Sequence, residues 1–280
     1  MYCWGKADEL LSADPFSAIV KALAQLLGGL EDSDKLRLKR RILDAVGSEG
    51  KVLTNLLPEL EDLIGEQPTP QTTASTLSLN RFTYLFQALL KANCSEKKPL
   101  IMYLDDLQWT DESSLELIRN LLSDIELRNL LLVGSYRDNE VDESHPLSTT
   151  LATLQRDGIP YTSISLDDLS RDEVCTFLED TLRTDEVSEL VDHLYSKTHG
   201  NIFYIRACLL QLEQKQILKY SLASCSWEWI SSRLEEIKVS DNVVDVVLDN
   251  MHGTRADIQS ALIVAAHLRS SFSLSRFCMI

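Results

Sequence analysis

The 280-residue sequence has no apolar run approaching the roughly 20 residues that a membrane-spanning helix needs. Its opening residues, Met1-Tyr2-Cys3-Trp4-Gly5-Lys6, lack a basic stretch followed by an apolar one, so they do not read as a secretory signal. The six cysteines (Cys3, Cys94, Cys175, Cys208, Cys225 and Cys278) include no C-x-x-C pair, which argues against a zinc site or a redox dithiol and for reduced thiols in an intracellular, cytoplasmic protein. The five histidines have no metal-ligand spacing, and there is no G-x-S-x-G or Cys/His arrangement for nucleophilic catalysis. Basic residues are in deficit: 27 Lys and Arg face 43 Asp and Glu, a net charge of −16. A surface of that sign repels a phosphate backbone, so nucleic acid is not the expected partner of the chain as a whole. The basic run Lys35, Arg37, Lys39-Arg40-Arg41 spreads around a helix among acids and reads as a solvated face.

What is present has the pattern of an α/β protein. Asp14-Pro15 resembles an N-cap with Pro at the first helical position, opening a helix to about Leu27 that Gly28-Gly29 closes. Helices are expected over about 33–46 and 53–64. Another is expected over 77–91, where Phe82, Leu85, Phe86, Leu89 and Leu90 share a face. Two apolar runs follow, Leu100-Ile101-Met102-Tyr103-Leu104 and Leu130-Leu131-Leu132-Val133, separated by a helical stretch over about 112–123. Runs without alternation suit parallel strands buried on both faces, and strand–helix–strand is a crossover unit. A weaker, half-exposed strand is expected over 161–166. Helices then run to Gln214, a small ribbon covers 217–229 with Trp227 and Trp229 on one face, and helices are expected over about 231–238, 241–250 and 256–268.

The first strand ends in Asp105-Asp106. At the carboxyl end of a strand in an open α/β sheet, side chains reach the ligand crevice. One carboxylate there can hold Mg²⁺ through water and bridge it to phosphates, while its neighbour orients an attacking water, the Walker B arrangement. The equal reading is that the two acids end a strand and cap a turn. Leu166-Asp167-Asp168-Leu169 repeats the tetrapeptide after a half-polar stretch, where the acids and Ser170 serve only to start a helix. Arg137 lies just beyond the second apolar run, placed to reach a terminal phosphate or else to pair with Asp138, Glu140 or Asp142.

Beyond spacing, the order of motifs closely resembles one family. Pro99 to Asp111 (PLIMYLDDLQWTD), Val133 to Val141 (VGSYRDNEV), His145-Pro146-Leu147 and Lys197 to Asn201 (KTHGN) are similar to the STAND-type, AAA-related ATPases with origin-recognition-like domains, which occur in large signalling proteins beside kinase, GAF and histidine-kinase modules. Gly5-Lys6, Pro15 to Ala18, Val52 to Thr54, Leu57 to Leu60, Asn80 to Phe82, Trp227 to Trp229 and Asp241 to Asp245 extend the likeness over nearly the whole chain. The resemblance implies a P-loop NTPase core over 1–166, a helical lid over 167–216 and a winged-helix-like module from 217 to 280. It implies ATP and Mg²⁺ as ligands, with Asp105 as the magnesium ligand, Asp106 as the water-orienting acid, Arg137 as the sensor of the γ-phosphate, and Gly200-Asn201 as the lid motif near the nucleotide.

Two departures qualify it. No G-x-x-x-x-G-K-[ST] loop is present: in Gly47-Ser48-Glu49-Gly50-Lys51-Val52 the glycines are too close together and no hydroxyl follows the Lys. The family's lid Pro is replaced by Ile202. The expectation is therefore an incomplete sheet in a chain that starts downstream of the phosphate loop and stops inside the last module, unable to hydrolyse ATP alone. Two other readings stand beside the switch: a non-catalytic scaffold of the same fold, and, disfavoured by the acidity, a winged-helix DNA-binding regulator.

Overall fold

A computed structural model of the chain describes residues 1–9, 15–29, 32–46, 50–68, 79–236 and 255–267. It divides into two compact units, Met1–Ser163 and Ile164–Ile280.

In the first unit, β1 (Tyr2–Lys6), β2 (Leu100–Asp105) and β3 (Leu130–Gly134) form a parallel sheet in the order β1-β2-β3. Between β1 and β2 lie α1 (Ser17–Gly28), α2 (Asp32–Val46), α3 (Gly50–Leu56), α4 (Glu59–Ile64) and α5 (Leu79–Asn93). Between β2 and β3 lies α6 (Glu112–Leu122), and after β3 comes α7 (Pro146–Arg156). The expected 53–64 helix is thus two helices. Pro58 has no N–H to donate and starts the second of them. The expected Asp14 cap lies outside the described residues. Phe16 occupies the N-cap position of α1 in the left-handed region, φ 67°. Its N–H is satisfied by Ser114 Oγ, 2.8 Å away across the core.

One face of the sheet is buried. Cys3 and Gly5 on β1, and Leu100, Met102 and Leu104 on β2, point into a core completed by α1, α5 and α6. The helices present matching stripes: Ala18, Ile19, Ala22, Leu23, Leu26 and Leu27 on α1, and Leu115, Leu117, Ile118 and Leu121 on α6. Of the residues expected to line α5, Leu85, Phe86, Leu89 and Leu90 are buried, while the side chain of Phe82 lies outside the described residues. Gly5 permits α1 to approach β1, because a Cβ there would sit 1.9 Å from the Ala18 carbonyl oxygen.

The opposite face departs from the expectation of strands buried on both sides. The register places Tyr2, Ile101 and Leu131 in one cross-strand row and Trp4, Tyr103 and Val133 in the next. Tyr2 and Leu131 are more than half exposed, at 58% and 56%, and Trp4, Ile101 and Val133 are also exposed. The apolar runs are those of a two-sided strand, yet the described residues cover a single side. The outer edge of β1 is partly satisfied, since the Trp4 N–H donates to Gln25 Oε1 at 2.9 Å. Among the described residues, no strand pairs with the outer edge of β3. The expected strand over 161–166 is likewise absent: these residues form no ladder, and Ile164 and Leu166 are exposed. An alternating pattern makes a strand only beside a partner that offers a free row of backbone groups.

The second unit contains α8 (Arg171–Leu182), α9 (Ser188–Thr198), α10 (Ile202–Gln214), an antiparallel hairpin of β4 (Leu218–Ser221) and β5 (Ser226–Trp229), and α11 (Ala256–His267). Ser170 caps α8 through a capping box with Glu173, the helix-starting role expected beside Asp167-Asp168. The hairpin shares a core with α8, α9 and α10 through Ile217 and Leu218, with the partly buried Trp227 and Trp229 packed against it. The expected 231–238 helix is a 3₁₀ turn over Ser231–Glu236, and the 241–250 helix lies outside the described residues. No described helix is long and apolar enough to cross a membrane.

Two outcomes follow. Gly5→Ala should lower the unfolding free energy by about 2 kcal/mol or more, measured by urea denaturation, because neither the α1 backbone nor β1 can yield without losing core contacts. The open aromatic and aliphatic sheet face should bind 8-anilinonaphthalene-1-sulfonate and drive self-association of the isolated chain. A monodisperse, dye-silent monomer with one cooperative melt would contradict this.

Candidate functional site

The third cross-strand row continues the exposed face of the sheet and is polar. Lys6 on β1 pairs in register with Asp105, the last residue of β2. Ser135, one residue past β3, donates from its N–H to the Leu104 carbonyl, which carries the ladder one step further. Side chains of the three meet: Lys6 Nζ lies 3.4 Å from Asp105 Oδ2, and Ser135 Oγ donates to Asp105 Oδ1 at 2.5 Å. Tyr103, on the same face, places its hydroxyl 3.2 Å from Asp105 Oδ1 and 3.0 Å from Ser135 Oγ. Burial works against the charged form of Asp105, but the hydrogen bond from Ser135 and the charge of Lys6 outweigh it. The carboxyl pKa is therefore held below its ordinary value.

Asp106 follows in the left-handed conformation, φ 54° and ψ 48°. A non-glycine residue in this region is uncommon, though Asp tolerates it better than most. The kink ends β2, turns the chain into a 3₁₀ turn over Leu107–Trp109 and buries the carboxylate, which is 9% exposed. Gln108 Nε2 donates to Asp106 Oδ1 at 3.2 Å. Lys6 Nζ lies 2.6 Å from Asp106 Oδ2, a close ion pair whose angles fall short of a well-aligned hydrogen bond. The contact with Asp106 nevertheless dominates the Lys6 environment and raises its pKa.

Arg137, past the end of β3, completes the cluster. Its Nε is 3.9 Å from Asp106 Oδ1, its NH1 is 2.8 Å from Glu140 Oε1, and its guanidinium lies over the Trp109 ring, 5.3 Å from the centroid. The pairing of Arg137 with Glu140 is thus present, and the same side chain also stands near Asp106. Gln108 Oε1 accepts from the Arg137 N–H at 3.3 Å, and the Gln108 carbonyl is 3.1 Å from His145 Nε2. Because His145 Nδ1 accepts from the Leu147 N–H at 3.1 Å, the Nε2–H tautomer follows. Asp111 caps α6 by accepting from the Ser114 N–H at 2.9 Å. The run Asp105 to Asp111 therefore supplies the carboxylate pair and the residues that hold it to both neighbouring segments.

Asp105, Asp106 and Arg137 are brought together. Gly200 and Asn201 belong to the second unit, at the start of α10. There Asn201 Oδ1 accepts from the Phe203 N–H at 3.1 Å, and Gly200 has φ 89° with no room for a Cβ against the Leu169 carbonyl. Sequence reasoning by chemistry alone passed over Lys6, Tyr103, Gln108, Trp109 and Ser135. The parity of the strands could have found three of them, since in parallel register Lys6 and Ser135 flank Asp105, and Tyr103 sits two residues before it on the same face.

The group fits a hard divalent cation in its donor chemistry: oxygen ligands only, with a buried carboxylate oxygen that lacks an aligned donor. Among the described residues no cluster of three or more His, Cys, Asp or Glu is present. A carboxylate pair is nonetheless what Mg²⁺ uses when waters and substrate phosphates supply its other ligands. The described glycines include no phosphate-cradling loop; Gly50 opens α3, and Lys51 pairs with Glu61 at 3.7 Å.

Residues 2–133 match the family described as AAA ATPase domain, which supports an AAA-type ATPase domain in the first unit. Over 347 aligned residues the chain is 24% identical to "Hybrid signal transduction histidine kinase G" of Dictyostelium discoideum. The alignment covers 99% of this chain and 10% of that protein, so the chain spans about a tenth of its relative's length.

Ser135→Ala should raise the Asp105 pKa toward the ordinary carboxylate value, as read by carbon-13 carboxyl titration. The sign for stability follows from the depressed folded value. The contribution of Asp105 is present above the unfolded pKa and is lost as pH falls through the lower folded one, so the variant should lose stability at neutral pH and converge with the wild type in acid. Equal stability of the two proteins at pH 7 would exclude this account.

Proposed function

We propose that the chain is the Walker B and sensor portion of an AAA/STAND-type ATP-dependent signalling switch. The observation that carries the reading is the juxtaposition, at the carboxyl ends of adjacent parallel strands, of Asp105, the buried Asp106 and Arg137. In this reading Asp105 holds the magnesium ion and Asp106 accepts a hydrogen bond from the attacking water. Arg137, braced by Trp109 and Glu140, answers the charge of the terminal phosphate. Bound Mg²⁺ would supply neutralisation of phosphate charge. Asp105 has Ser135 and Tyr103 to fix its orientation, and Gln108 does the same for Asp106. The reading requires a phosphate-binding loop in addition to these residues, whose sequence contains no G-x-x-x-x-G-K-[ST] motif. The second unit is assigned as a lid over 167–216, with Gly200-Asn201 answering the nucleotide state, followed by a winged-helix-like module. The hybrid histidine kinase relative supports placement of such a switch inside a multidomain signalling protein.

The alternative is a non-catalytic scaffold of the same fold. Two features of the sequence favour it: there is no G-x-x-x-x-G-K-[ST] loop, and Ile202 stands in place of the lid Pro. Titration with a fluorescent ATP analogue, with and without Mg²⁺, separates the two. The isolated chain should bind weakly or not at all. A protein extended to include a phosphate loop should bind in a Mg²⁺-dependent manner, and Asp105→Ala should reduce that affinity by about tenfold or more. An extended protein with an intact phosphate loop that still ignores nucleotide would establish the scaffold reading.

A further inference from the structure

Lys6 carries the inference that reaches furthest. It is the cross-strand partner of Asp105, and its ammonium is shared between the two acids, 3.4 Å from Asp105 Oδ2 and 2.6 Å from Asp106 Oδ2. Asp106 is nine-tenths buried, and its Oδ2 has that ammonium beside it without an aligned hydrogen bond. A carboxylate so withdrawn from water needs a positive charge nearby. Arg137 is a weaker answer, since its Nε stands 3.9 Å from the other oxygen of Asp106 and its NH1 is engaged with Glu140.

We propose that Lys6 is the resident counter-cation of the carboxylate pair, occupying the place a divalent cation takes and leaving when that cation binds. The proposal rests on the metal-site reading given above for Asp105 and Asp106. A Mg²⁺ ion needs carboxylate oxygen at about 2.0–2.1 Å. On Asp105, the magnesium ligand of that reading, the ion would stand close to an ammonium 3.4 Å from Asp105 Oδ2 and 2.6 Å from the neighbouring Asp106 Oδ2, where the two positive charges repel. Lys6 is able to leave. Its side chain is half exposed, and it sits at the end of β1, so a rotation about its flexible stem carries the ammonium into solvent without moving the strand. The exchange leaves neither acid without a counter-charge at any stage. It also makes occupancy of the metal site a competition in which the position of the Lys6 side chain reports whether the cation is bound.

The test uses the full chain and Mn²⁺ alone, titrated by electron paramagnetic resonance of the free ion. Lys6→Met removes the competitor, so Mn²⁺ should bind about tenfold more tightly than to the wild type, whereas Lys6→Arg, which keeps the charge, should stay within about threefold of it. Equal Mn²⁺ affinity in wild type and Lys6→Met overturns the Lys6 proposal and leaves the metal-site reading standing. Absence of Mn²⁺ binding in both proteins overturns the metal-site reading, and the proposal falls with it. If Lys6→Met does not fold, the wild type suffices. With lysines reductively methylated with carbon-13, the Lys6 resonance, assigned by its loss in Lys6→Arg, should move toward those of exposed lysines as Mg²⁺ is added. Mg²⁺ binding that leaves this resonance in place would also overturn the proposal.

Discussion

Strand β2 is bonded on both edges, to β1 on one side and β3 on the other, and the rest of the first unit depends on that double pairing. Leu100, Met102 and Leu104 on one face are its contribution to the core. Tyr103 and Asp105 on the other face are its contribution to the site. Because strand side chains alternate, the residues that anchor the strand and the residues of the candidate site are interleaved within six positions. A register slip of one residue would bury Asp105 and expose Leu104 together. The parallel ladder is therefore what holds Lys6 and Ser135 on either side of Asp105, with no further device required.

The site itself is a balance of charge in a half-dry setting. Two acids stand next to each other in sequence, one partly exposed and the other buried by a left-handed kink. Such a pair is tolerable because a Lys from one neighbouring strand and an Arg from beyond the other approach it from opposite ends. Hydrogen bonds from Ser135 and Gln108 fix the directions of the carboxylates. The kink at Asp106 is a local strain held by its surroundings, and strained backbone of this kind concentrates at functional positions. The sheet face beside it, bearing Tyr2, Trp4, Ile101, Leu131 and Val133, has the composition of an interior and is uncovered among the described residues.

Much of this was readable in advance. The α/β class, the two apolar strands, the helix between them and the ribbon with its paired tryptophans follow from periodicity and composition, which are local properties, whereas burial of those strands on both faces does not hold among the described residues. The place of Asp105 and Asp106 at the end of a strand was readable from the apolar run before them, and the repeat at Asp167-Asp168 was rightly read as the start of a helix capped nearby. Other features were not legible because they depend on partners distant in sequence. Residues 161–166 alternate like a strand and make none, since alternation alone does not bring a segment alongside a free sheet edge. Residues 53–64 look like one helix and are two, divided at Pro58. Lys6 lies 99 residues before Asp105 and carries no local mark of its role.

The sequence by itself determined the alternation of elements, the chemistry available at the strand ends, and the lack of a phosphate-cradling glycine loop, since each is a matter of residue type and near-neighbour spacing. Only the tertiary structure decided which charges meet. It set Lys6, Ser135 and Arg137 around the two acids, buried one acid and left the other partly open, and, among the described residues, covered the sheet on a single face. The physical reason is that hydrogen-bond registry and burial join residues about a hundred positions apart, and no local pattern encodes the partner at the far end of such a contact.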